Sequence, residues 1–80
     1  MVNLHESLAI ADKEAIRFGE MIFAVKGQNA EIYYNKKFVD SVHEIWALEE
    51  AIGLERNSNL ISDLLERAWS SAIAKKLVIR

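Results

Sequence analysis

Apolar residues recur through the first third of the chain at alternating spacings of four and three: Leu4, Leu8, Ala11, Ala15, Phe18, Ile22 and Val25. That heptad-like seam predicts an amphipathic helix over residues 4–26. Ile16 and Phe23 widen the stripe on one flank, and Lys13, Arg17 and Glu20 fall on the polar side. Asn3 followed three residues later by Glu6 makes a capping-box-like start, and Lys26-Gly27 supplies a cation and a left-handed stop. Gly19, inside the helix, costs about 1 kcal/mol against alanine, so its place there signals close helix packing. Phe38, Val42, Ile45, Leu48 and Ile52 define a second helix at about 38–52, ended by Gly53. Ser41 and Glu44 form a second capping-box pattern, which would start that helix later.

The third helix, at about 58–76, opens at Asn57-Ser58-Asn59 and carries apolar pairs: Leu60-Ile61, Leu64-Leu65, Ala68-Trp69 and Ala72-Ile73. A repeat of four exceeds the 3.6-residue turn, so this stripe drifts by about 40° per step. It sweeps a broader arc than one neighbouring helix of the same chain needs. Between the first two helices, Ala30-Glu31-Ile32-Tyr33-Tyr34 is β-prone and flanked by Asn29 and Asn35. It reads either as one short strand at 30–34 or as the opening turns of the second helix. The tail Leu77-Val78-Ile79-Arg80 would be the strand's pairing partner. The expected fold is mainly α, a single domain over residues 1–80 built on three amphipathic helices.

Composition sharpens this picture in two ways. The chain has 80 residues, no proline, no cysteine and three glycines, with 51% hydrophobic and 28% charged residues. So little punctuation speaks against a sandwich or barrel, and the absence of cysteine excludes disulfides and thiolate metal sites. A chain this short buries only about 60% of its unfolded surface, so association is the stabilising device left to it and a helical homodimer is expected. The net charge of −2 divides unevenly: residues 41–55 carry Glu44, Glu49, Glu50 and Glu55 with no Lys or Arg (−4), and residues 56–80 carry +3. Neighbouring helices of opposite sign would attract. The first six residues include an acid where a secretory signal needs a basic region, and no apolar run approaches the roughly 20 residues of a membrane span. A cytoplasmic location is the expectation.

Candidate chemistry is sparse. His5-Glu6 and His43-Glu44 do not continue into His-Glu-x-x-His, and the glycines stand alone rather than in a phosphate-cradling loop. No residue is assigned a catalytic, cofactor-binding or metal-binding role, no cofactor is expected, and the protein is read as a non-enzyme. Asp40-Ser41-Val42, with Ala47-Leu48-Glu49-Glu50 and Gly53-Leu54-Glu55, resembles the carrier helix of acyl carrier proteins. That resemblance implies a serine, here Ser41, carrying a phosphopantetheine arm; valine in place of leucine and an early Leu-Glu-Glu element depart from the family, and helix capping is the simpler role for Ser41.

The order of a short strand (30–35), a helix (42–52), Gly53-Leu54 and a second helix (57–69) is similar to that of ribbon-helix-helix DNA-binding proteins. The resemblance implies a dimeric transcriptional regulator. Glu31, Tyr33 and Asn35 would then face the major groove, with Lys36, Lys37 and Arg56 near phosphates. Glu31, the net negative charge and the long preceding helix are its departures. Tyr33, Tyr34, Trp46 and Trp69 are the candidate partner-binding residues, since aromatic side chains with a polar handle anchor protein interfaces. Trp69 also suits the core, and Trp46 suits either place. The leading expectation is a small regulatory or adaptor protein that works by protein–protein interaction, with DNA binding as the alternative.

Overall fold

A computed structural model describes residues 3–27 and 35–77, and nearly all of them lie in three α-helices: α1 (Leu4–Lys26), α2 (Lys36–Ile52) and α3 (Leu60–Ala74). The fold is mainly α. The strand expected at 30–34 lies outside the described residues, as do residues 78–80 of its suggested partner.

Each helix starts where a side chain or loop satisfies the orphan amides of its first turn. At α1, Asn3 Oδ1 accepts from the backbone N–H groups of His5 (3.1 Å) and Glu6 (3.2 Å). At α2, Asn35 Oδ1 accepts from Phe38 N–H at 3.2 Å, so the helix begins at Lys36, ahead of the expected 38. Ser41 is consequently a mid-helix residue, buried, with its hydroxyl donating to the Lys37 carbonyl at 2.9 Å. It caps nothing, because Asn35 already does. At α3 the helix spans 60–74 rather than 58–76, and Asn59 in the cap position makes no side-chain cap bond. Asn57 organises that start: its Oδ1 accepts from Asn59 N–H at 3.0 Å and its carbonyl accepts from Leu60 N–H at 3.2 Å.

Gly53 ends α2 in the left-handed region (φ 89°). The end of α3 has the same hydrogen-bond pattern without a glycine: Lys76 takes φ 58°, its N–H reaches the Ile73 carbonyl, and Leu77 N–H reaches that of Ala72 at 2.9 Å.

α1 is the central helix and packs against both α2 and α3. Asp12 meets Arg67 and Glu20 meets Lys75, so α1 and α3 run in the same direction. Leu8 of α1 lies beside Ile45 and Glu49 near the end of α2 and Leu60 at the start of α3, which makes the path up-down-up. The buried line of α1 is Ala11, Ala15, Gly19 and Phe23, and that of α3 is Leu60, Leu64, Ala68 and Ala72. Both lines advance by four residues. The heptad seam expected for α1 therefore rotates out at its ends, leaving Leu4 38% and Val25 82% exposed. Small residues let the two lines approach closely: a Cβ on Gly19 would sit 2.7 Å from Ala68 Cβ. From α2, Phe38, Val42 and Ile45 complete the core.

Among the described residues, the ion pairs between helices join α1 to α3, Asp12–Arg67 at 3.1 Å and Glu20–Lys75 at 3.0 Å, and none links the acidic α2 to α3.

Candidate interaction surface

The meshing of α1 with α2 and α3 leaves one edge of α1 uncovered. At 100° per residue, Ile10, Glu14, Arg17 and Met21 fall within an arc of about 60° on that edge. Ile10 is 53% and Met21 57% exposed; Glu14 and Arg17 between them are also exposed. The second apolar column of α3 is half covered. Ile61 stands at its exposed end, and Leu65, Trp69 and Ile73 are partly buried. Trp69 packs edge-on to Phe23, ring centroids 5.1 Å apart, so it belongs to the margin of the core.

Trp46 has a local task. Its indole N–H donates to the Asn57 carbonyl at 2.9 Å, and the Arg56 guanidinium lies 3.8 Å above its ring. The His43 ring also stacks with the indole, ring centroids 5.9 Å apart. The tryptophan thus ties the loop between α2 and α3 back onto α2, flanking an open depression of about 500 Å³ lined by His43, Ala47, Glu50, Leu54 and Arg56. Replacing it by phenylalanine keeps the apolar body but removes the indole donor, leaving the Asn57 carbonyl only the Leu60 N–H. Trp46→Phe is expected to lower stability by about 1 kcal/mol in urea denaturation.

The other candidate residues do not converge. Tyr33 and Tyr34 lie outside the described residues. Asn35, Lys36 and Lys37 stand at the start of α2, where Asn35 is the cap and Lys36 pairs with Asp40 at 3.0 Å. Arg56 lies beyond the far end of that 17-residue helix, about 25 Å away along its axis. The cations attributed to phosphate contact therefore form no single patch. Ser41, the position matching the carrier serine, is 7% exposed and hydrogen-bonded into its own helix.

Sequence reasoning placed Glu20 on the polar side of α1, yet it is buried, 6% exposed. Its Oε1 accepts from the Ser71 hydroxyl and, at 3.2 Å, from Lys75 Nζ, which also reaches Oε2 at 3.0 Å. Burial alone would raise its pKa. The Ser71 and Lys75 hydrogen bonds, with the charges of Lys75 and Arg17, outweigh burial and hold it below the ordinary value. A depressed folded pKa means the ionised form favours the folded state. The contribution is therefore complete above the ordinary glutamate value of 4.5 and is lost as pH falls through the lower folded value. In thermal melts across that range, Glu20→Gln is expected to lose part of the wild-type decline in stability. The signal was present in Ser71 and Lys75, four residues apart on one face of α3, but only the register of α1 against α3 reveals it.

Comparison of the chain with known protein families, curated proteins and solved structures finds no match. Among the described residues, no three His, Asp or Glu side chains gather as a metal site, and no helix is long and apolar enough to cross a membrane.

Proposed function

We infer that this protein is a small helical interaction module, a non-enzymatic regulator or adaptor that works by protein–protein contact and as a homodimer. The observation that carries the reading is the uncovered edge of α1, where Ile10 and Met21 are each more than half exposed beside Val25 at 82%. These three are the most exposed large apolar side chains among the described residues, ahead of Leu54 at 49%, and apolar side chains gathered on one helix edge mark an association site. An interface built on one helix edge is small, in the size class of weak and transient associations. A cytoplasmic site of action belongs to the same proposal.

Sedimentation equilibrium from about 1 to 300 μM tests it over the range where a micromolar dimer dissociates. The average mass should rise with concentration from the 9.1 kDa of one chain towards twice that value. A mass fixed at 9.1 kDa throughout would remove the homodimer.

A further inference from the structure

The edge of α1 is self-complementary, and that property selects both the occupant and its orientation. Ile10 and Met21 are equidistant from a point midway between residues 15 and 16, and Glu14 and Arg17 are equidistant from the same point. We propose that a second copy of this chain docks on this edge with its α1 antiparallel, so that Glu14 of each copy faces Arg17 of the other and Ile10 faces Met21. This rests on the reading of the protein as a homodimer and adds its interface and orientation.

The four residues follow spacings of four, three and four, the a/d pattern of two helices that pack side by side. A two-fold axis crossing α1 at the midpoint places residue i at the height of residue 31 − i in the other copy, a closed isologous pairing. Glu14 and Arg17 lie about 2 Å from that axis along the helix, and Ile10 and Met21 about 8 Å. Two opposite-charge contacts thus occupy the centre and two apolar contacts flank them. A parallel pairing would set Glu14 against Glu14 and Arg17 against Arg17, which repel. All four side chains are exposed, so the edge is available without rearranging the fold; Arg17 also lends its charge to the buried Glu20, and circular dichroism separates that effect from the interface in Arg17→Glu.

Charge exchange in the full chain tests the proposal, with the dimer dissociation constant read by sedimentation equilibrium and folding followed by circular dichroism. Glu14→Arg and Arg17→Glu should each weaken the dimer by about tenfold or more, since each turns two attractions into repulsions. The double exchange should restore it to within about threefold of wild type. A second readout leaves the charges in place and uses the absence of native cysteine. Chains carrying Ile10→Cys, mixed with chains carrying Met21→Cys, should form a disulfide between unlike chains on mild oxidation. Like chains should not, because Ile10 lies about 16 Å from its symmetry mate. Single exchanges that leave the dissociation constant unchanged would overturn the α1 pairing while leaving a homodimer through another face. A double exchange that fails to restore the dimer, or disulfides between like chains, would overturn the antiparallel register. A wild-type chain monomeric at every concentration would overturn both the pairing and the reading beneath it.

Discussion

Leu64→Ala is expected to remove about 3 kcal/mol or more of folding stability. Leu64 is fully buried in the α3 line that faces α1, and its neighbours Ala68 and Ala72 are too small to spread into the space it leaves. The loss combines transfer of the missing carbons with a cavity that can relax little. A domain of this length holds only about 4–12 kcal/mol in total, so the variant forfeits a large share of it. Its melting temperature in dilute solution should fall by roughly 15 °C. Ile61→Ala is the control: one turn earlier but in the outer column, 36% exposed, it should cost less than about 1.5 kcal/mol. Equal losses at the two positions would mean that α3 does not bury a single column.

Gly19→Ala carries the next largest effect, and its sign decides whether the α1–α3 contact is as close as described. Alanine improves helix propensity by about 1 kcal/mol, so an open site would gain stability. Here the added Cβ meets Ala68 Cβ at 2.7 Å, and neither carbon can turn away because each is fixed to its backbone. The helices must separate, loosening Ala15 and Ala72 along the same seam. A net loss of about 1–3 kcal/mol is expected in urea denaturation. Adding Ala68→Gly should recover part of that loss, a coupling that two independent sites would not show.

These two experiments address features that local pattern reveals unequally. Helix positions and types were legible because the 3.6-residue period, the Asn3 cap and the Gly53 stop are properties of short stretches of chain. The drift of α3 was legible for the same reason: spacing by four forces it. The end of α3 was not, since Lys76 adopts a conformation that glycine usually signals. The heptad seam is buried at Ala11 and Ala15 and turns outward at Leu4 and Val25, because period alone does not say which of two nearby stripes the partner helix will cover. Beyond Ala11 and Ala15, which the seam shares, the buried line continues through Gly19 and Phe23, because its small residues admit the close approach of Ala68 and Ala72. Glu20 was hidden for a related reason, its burial being set by Ser71 and Lys75, more than fifty residues away in the sequence.

The candidate surface was legible only by subtraction. Ile10 and Met21 lie outside the expected seam, and their exposure follows from what α2 and α3 leave uncovered. Trp46, which residue type suits equally to an interface or to the core, holds the α2–α3 loop through the Asn57 carbonyl and Arg56.

The central claim is that α1 carries the core on one face and self-association on its outer edge. The most direct measurement is sedimentation equilibrium of the Ile10→Lys, Met21→Lys double variant beside the wild type, with melting followed at the lowest concentration. The account expects the variant to stay at the mass of one chain at concentrations where the wild type dimerises, with its helix content and dilute-solution melting temperature unchanged. A variant that dimerises as tightly as the wild type, or that loses its fold, would contradict it.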